Sequence, residues 1–411
     1  MRILWAVLLP ILVFGQSYSL KDFINHTNRS NGLIKAKQIS IKAKESEVQS
    51  AISYFWPTID VGGSYMFATP NSLASPGKTA SAFVKISIGL YAGGAKYAIL
   101  ASKRYEKKAS IFEAIAFKKS MSLDVVRQFF TIKKLRAMLN ALQERSSELD
   151  AQIKRLKKFE VAGLATQEDI DKLQAVYDNN QYTIANTSLA FESSKERLKL
   201  LSGIHRIHLK RSYFKEPQRL RFEVLEDIKA MEAKAMAIGE NAKVIHTRYS
   251  PRVILSNTYT KSDYDDVPSS PMNLLLDHQN RLVISATMRI FDKGKIAHDT
   301  EAVRYQKMVL LSQVDYAIKE QKMNFRVAKK SLSTSKKKLR SARSALKSAR
   351  GSYKVVKEKY EAGLEDNIAY LDALTEKTLA MAQYRETIYD YEIGKSIYYY
   401  YAGKNLKEFI R

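Results

Sequence analysis

Two stretches of about seventy residues run without a proline, Gly94 to Gly163 and Gly294 to Gly363. They end alike, on Phe159-Glu160-Val161-Ala162-Gly163-Leu164 and Tyr360-Glu361-Ala362-Gly363-Leu364. At ~1.5 Å per residue each predicts a helix of roughly 100 Å, far longer than a globular core can cover. Such a helix is buried along a seam instead. Phe325, Leu332, Leu339, Leu346, Tyr353 and Tyr360 fall seven apart, with Ala328, Ala342, Ala349 and Val356 at the companion position. In the first stretch Leu135, Leu142, Leu149 and Leu156 hold one register and Val125, Ile132, Leu139 and Ile153 the other. Sustained heptads predict coiled-coil packing. The narrow stripe leaves most of each helix polar, which suits a layer of helices wetted on both faces.

The ends of these runs belong to a longer repeat. Gly94 with Gly294, Gly163 with Gly363 and Gly203 with Gly403 are each 200 residues apart, so the chain reads as a tandem duplication. In each half a strand pair precedes the long run, and a second helical run returns from the Gly-Leu break. From Phe55 to Phe67 the odd positions are mostly apolar, and Ala82, Val84, Ile86, Ile88 and Leu90 alternate with Lys85 and Ser87. That period of two belongs to strands. In the second half Val253 to Thr260 gives one strand, and Leu282, Ile284, Ala286, Met288 and Ile290 mark one face of the next. The loop between them holds Pro268 and Pro271. The expected organisation is a first repeat over 20–203, with a single helix from Leu20 to Gln49, strands at about 54–68 and 80–91, and a hairpin tip at 161–166. A connection, 204–217, leads to a second repeat over 218–403 with a helix, strands at about 252–262 and 281–291, a tip at 361–366, and a tail over 404–411. On the return helices Ile170, Leu173 and Ala175 align with Ile368, Leu371 and Ala373 at a spacing of 198 rather than 200. Each strand approaches the ~9–11 residues that cross a bilayer in a tilted barrel, but four strands close no barrel, so a membrane reading requires copies of the chain.

Residues 1–19 have the layout of a secretory signal peptide, with Arg2, an apolar run from Ile3 to Phe14, and small residues that put cleavage near 15–19. The run is too short to span a bilayer. There is no cysteine, hence no disulfide and no thiol chemistry. A net charge of +26 would ordinarily point to nucleic acid, but export argues against it. Thirteen Lys or Arg lie between Arg326 and Lys359 against one Glu, so the charge sits on the helices. No phosphate loop, nucleophile motif or metal-ligand cluster is present, and His205 with His208 has no carboxylate companion. The expectation is no enzyme, no cofactor and no metal. Near the two breaks stand Asp169, Asp171, Glu365, Asp366 and Asp372. They read as charges meeting helix N-termini, or as a ring in a pore. The tyrosines crowding the last helix (Tyr389, Tyr391, Tyr398 to Tyr401) read chiefly as packing.

Taken in order, the parts resemble the TolC-like outer-membrane efflux proteins over residues 20–403. The matching stretches are Phe159 to Thr166 with Asp169-Ile170, and Tyr360 to Leu364 with Leu371-Asp372-Ala373. Leu90-Tyr91-Ala92-Gly93-Gly94 and Ile290-Phe291-Asp292-Lys293-Gly294 stand where strand becomes helix. The resemblance implies a mainly α fold with a β-barrel portion: a homotrimer whose four strands per chain close a barrel in the outer-membrane lipid, continued by a tunnel of coiled-coil helices in the periplasm. It also implies that Gly163, Leu164, Gly363 and Leu364 form the tip that meets a periplasmic adaptor and an inner-membrane pump, and that Asp169, Tyr360, Glu365 and Asp372 belong to the entrance gate. The sequence departs from the family pattern at Ala369, where a second ring aspartate stands, and at Glu365, where an arginine can stand, so an Asp-Arg lock cannot form in the usual way. The expected function is a passive exit duct for small molecules. An outlet for type I protein secretion is the alternative, and a soluble coiled-coil scaffold or nucleic-acid-binding protein is the alternative of another class.

Overall fold

The computed structural model describes residues 17–72, 74–218, 220–267 and 275–411. The signal peptide expected over 1–19 lies outside the described residues up to residue 16, as do Pro268 and Pro271. The elements are α1 (Leu20–Ser30), α2 (Gly32–Ser53), β1 (Thr58–Phe67), β2 (Lys78–Ala92), α3 (Ala95–Val161), α4 (Gln167–Ser202), α5 (Glu226–His246), β3 (Arg252–Asp265), β4 (His278–Thr287), α6 (Lys295–Glu361) and α7 (Asn367–Tyr401). Both α3 and α6 run for 67 residues, as their proline-free sequences require.

Three expectations are corrected. The helix expected from Leu20 to Gln49 is two helices, because Asn31 leaves the helical region at ψ 124°. Its side-chain oxygen accepts from the N–H groups of Leu33 (3.0 Å) and Ile34 (3.3 Å), while its amide donates to the Leu201 carbonyl (3.2 Å). One residue thus closes α1, opens α2 and ties both to the end of α4. The strand expected to reach residue 291 stops at Thr287, where its partner runs out: Thr287 pairs with Arg252, and Pro251 before it has no N–H to donate. Met288 and Ile290 fall beyond the sheet. The connection expected over 204–217 extends to Leu225, since α5 opens only at Glu226.

Contacts divide the chain into two units, each drawing on both sequence halves. One comprises 37–113 and 226–317. It contains the sheet, antiparallel throughout in the order β1-β2-β3-β4, with α2, α5 and the first parts of α3 and α6. Ala230, Ala233, Ala235, Ala237 and Ala242 bury the face of α5, small residues that let neighbouring backbone approach. The helices α2 and α3 are cross-linked by charge, Lys44 reaching Glu106 at 2.9 Å and Lys103 reaching Glu47 at 3.0 Å.

The other unit comprises 1–36, 114–225 and 318–411. Its core joins Leu20, Phe23 and Ile24 of α1, Val125, Val126, Phe129 and Phe130 of α3, Phe214 of the extended segment, and Tyr398 and Tyr399 of α7. The tyrosine cluster is packing: Tyr399 stacks on Phe409 at 4.0 Å, and its hydroxyl donates to the Lys215 carbonyl at 3.0 Å. Beneath these rings lies an ion pair that sequence reasoning missed. The Lys395 ammonium, 3% exposed, meets Glu392, 6% exposed, at 2.6 Å and donates to the Phe214 carbonyl at 2.9 Å. Glu392 accepts from the Phe214 N–H at 2.7 Å, and burial pushes its carboxyl up from the ordinary range. The signal available was the i,i+3 spacing of opposite charges inside an aromatic run. The seam residues behave as their register demands: Leu149, Ile153, Leu156, Leu346, Ala349 and Tyr353 are buried.

Candidate functional site

The two Gly-Leu breaks fold into the same motif. After Gly163 the Leu164 N–H donates to the Phe159 carbonyl (2.8 Å) and the Gly163 N–H to the Glu160 carbonyl (2.9 Å). After Gly363 the same pair runs from Leu364 to Lys359 (2.8 Å) and from Gly363 to Tyr360 (3.1 Å). This is the Schellman closure, and it needs a left-handed residue at its centre. Gly163 has φ 71° and Gly363 φ 74°, and a Cβ on either would meet open space, so backbone conformation alone selects glycine. Leu164 is 75% exposed and Leu364 76%, each an apolar side chain offered to the surroundings of its turn.

The helices that return are capped in parallel. Thr166 accepts from the Asp169 N–H at 3.2 Å while Asp169 accepts from the Thr166 N–H at 3.3 Å, a reciprocal capping box. At the matching position Asp366 accepts from the Ala369 N–H at 2.7 Å. With Ile170 and Leu173 buried beside Tyr370 and Ala373, the repeat interval on these helices is 200. The spacing of 198 expected from Ile368 and Leu371 is corrected: Ile368 is exposed and Leu371 only half-buried. The apolar residue that mattered was a tyrosine.

Of the expected gate residues, Tyr360 is packed against the core of the hairpins. Tyr360 stacks on Tyr370 (4.8 Å between centroids, 19° between planes) and lies under the Arg155 guanidinium at 5.7 Å. Burial raises the Tyr360 hydroxyl above the usual tyrosine range, with the Arg155 charge pulling against it and the Asp169 carboxylate adding to it. The Asp169 oxygens are engaged in the cap. Glu365 is drawn aside to Lys359 at 3.3 Å. Asp372 is exposed, with no hydrogen bond or ion pair among the described residues.

Two features here went unread in the sequence. Arg155 of α3 donates to the Glu361 carbonyl at 3.1 Å and stands 5.1 Å from the Phe159 ring, so a single cation joins both Gly-Leu turns. Deeper along the same helices Glu148 of α3 accepts from Lys377 of α7 at 2.7 Å and from the Tyr353 hydroxyl of α6. Lys377, only 11% exposed, sits 4.2 Å from the Tyr353 ring centre. Both ties cross from one hairpin to the other, where heptad periodicity is silent because it reports a face and not a partner.

The sheet presents the second functional surface. In register, Ile59 lies opposite Ile86, Val61 opposite Val84, Ile86 opposite Asn257, Val84 opposite Tyr259 and Leu255 opposite Ile284. Directly paired residues share a face, so Ile59, Val61, Tyr65, Phe67, Val84, Ile86, Leu255, Tyr259, Leu282 and Ile284 form one apolar surface across all four strands. It is uncovered: Val61 is 78% exposed, Phe67 71% and Ile284 68%. The opposite face carries hydroxyls that pair across strands, Thr58 with Ser87 and Ser81 with Ser262, each at 2.9 Å. β1 and β4 are edges, each with one hydrogen-bonded neighbour. Among the described residues no helix is long and apolar enough to cross a membrane, and no cluster of His, Asp or Glu could hold a metal ion.

A duplicated chain of long paired helices with four antiparallel strands, apolar on one exposed face, has the architecture of a TolC-like outer-membrane channel protomer. The family model described as outer membrane efflux protein matches residues 225–393, so that over this stretch, which runs from α5 through most of α7, the chain resembles that family. The fold is that of the CmeC outer membrane channel of Campylobacter jejuni, with 16% identity and a TM-score of 0.83 over 94% of this chain and 86% of that one. It is equally that of VceC from Vibrio cholerae, with 13% identity and a TM-score of 0.79 over 94% and 96% of the two chains. CusC is similar, with 14% identity and a TM-score of 0.79 over 94% and 92%. No curated protein matches the chain in sequence.

Proposed function

We propose that the chain is one third of a homotrimeric exit duct, seated in the outer membrane by its strands and carried through the periplasm by its helices, through which a partner pump expels small molecules. The observation that carries this reading is the apolar sheet face, continuous over four strands and uncovered by any described residue. An apolar surface of that extent is stable only against lipid or protein. The unpaired edges of β1 and β4 would close against copies of the chain, since a barrel leaves no edge. Val309, Tyr316 and Met323, seven apart on α6 and exposed, offer a further seam for a neighbouring copy. Gly163, Leu164, Gly363 and Leu364 are the surface offered to a periplasmic adaptor, with Asp169, Tyr360, Glu365 and Asp372 close to the entrance in sequence. Cysteines scanned along 60–66 of β1 and 279–285 of β4 test the closure. Disulfide bonds that form between chains and yield a trimer in membrane fractions are expected. A stable soluble monomer recovered from the periplasm would defeat the reading.

A further inference from the structure

The unit built from 1–36, 114–225 and 318–411 contains a concavity of about 530 Å³, walled by α3, α4, α6, α7 and the extended segment that follows α4. Its floor is apolar, with Ile132, Phe191, Leu209 and Tyr389. Its rim is cationic. Lys133, Arg136, Lys195, Arg211, Arg350 and Arg385 line it against a single carboxylate, Glu144, which leans toward Lys377 at 3.4 Å.

Of these cations Lys195 is held by Glu192 at 2.8 Å. Arg136, Arg211 and Arg385 have no ion-pair partner among the described residues, and the Arg350 guanidinium reaches only the Met381 sulfur, at 3.6 Å. Lys133 donates to the Lys210 carbonyl at 2.7 Å and lies 4.7 Å from the Phe129 ring centre, half-buried. Burial first, and the Arg211 charge second, push its ammonium down to about 8, against a smaller pull from Glu392. Guanidinium groups that converge on a hollow whose one carboxylate leans toward Lys377 carry an unmet demand for an anion, and the forked geometry of arginine suits the oxygens of a phosphate. An inorganic ion would leave the floor exposed to water. Several converging cations suit a doubly charged head better than a carboxylate.

We propose that this concavity binds a phosphate-headed amphiphile, the phosphate seated among Lys133, Arg136 and Arg211 and the apolar body laid on Ile132, Phe191 and Leu209. The site shares no residue with the Gly-Leu turns, and its occupation does not depend on the transport reading. The head group can come from a phospholipid or from a free alkyl phosphate.

The test titrates the full chain, held in a phosphate-free amphipathic polymer, with dodecyl phosphate by calorimetry. One dodecyl phosphate per chain is expected, with inorganic phosphate at least about tenfold weaker because it makes no use of the floor. Arg136→Gln with Arg211→Gln should weaken dodecyl phosphate by roughly tenfold or more, as lost charge-assisted hydrogen bonds do. Both side chains are exposed, so an unchanged melting curve certifies the fold of the variant. Native mass spectrometry of the protein as purified separates the sources: a phospholipid retained by the wild type and lost in the variant supports a lipid occupant, and its absence from both supports a free one. Dodecyl phosphate that binds the variant as tightly as the wild type, or uncharged dodecyl maltoside that competes for the site equally well, overturns the proposal.

Discussion

Gly163 and Gly351 take opposite signs on substitution by alanine, although a methyl group meets nothing at either. Gly351 lies within α6 in helical conformation, where alanine removes an entropic penalty and should stabilise by about 0.5–1 kcal/mol. Gly163 holds φ 71°, where a Cβ crowds its own carbonyl, and alanine should cost about 1–2 kcal/mol. Melting curves of the two variants, displaced in opposite directions, are the expected outcome. The Lys395–Glu392 pair sets a larger scale. Lys395→Met leaves Glu392 buried without its cation and should cost about 3–5 kcal/mol, whereas adding Glu392→Leu should return part of that loss. A double variant no more stable than Lys395→Met alone would show that the lost bond to the Phe214 N–H, rather than the stranded charge, dominates.

At the scale of elements, α2 is tied to α3 by crossed ion pairs, Lys44 with Glu106 and Lys103 with Glu47. Hydrogen bonds from Lys44 and then Lys103 lower the Glu47 carboxyl from 4.5 to about 2. A carboxyl depressed on folding contributes stability that is fully present above its unfolded value of 4.5 and is lost as pH falls toward 2. Protection of the α2 amides relative to their intrinsic exchange rates should therefore fall between pH 4.5 and 2, and Glu47→Gln should already be less protected at neutral pH and respond less to acid. Equal acid sensitivity in the variant would assign the effect to other carboxylates. The hairpins are organised differently. Their caps, Schellman turns and buried first-turn residues recur at one interval, yet Asp169 closes a capping box that Asp366 and Ala369 cannot complete, because Ala369 has no carboxylate to return. The duplicated elements share geometry while their polar bonds have diverged.

At the scale of the whole molecule, three-fold repetition would turn Asp372 into a ring near the entrance of a strongly basic duct. Asp372→Ala is expected to shift the reversal potential toward anions in planar bilayers under a salt gradient, because it removes the acidic charge from that ring. An unchanged potential, with inserted trimers verified, would take Asp372 out of the pore. Much of this molecule was legible from one-dimensional pattern. Heptads and the lack of proline set α3 and α6, alternation set the four strands, and the glycine interval set the duplication, because each depends on backbone sterics or on which side of a single element is apolar. What the tertiary structure alone decided was partnership. Asn31 splits a helix because Leu201 is there to receive its amide, β4 stops where Pro251 ends its neighbour's ladder, and Arg155, Glu148 and Lys377 tie two hairpins about 200 residues apart in sequence. Periodicity names the face that must be covered, but the group that covers it is chosen by packing in three dimensions, where residues remote in sequence become neighbours and a buried charge is tolerated only beside its counterpart.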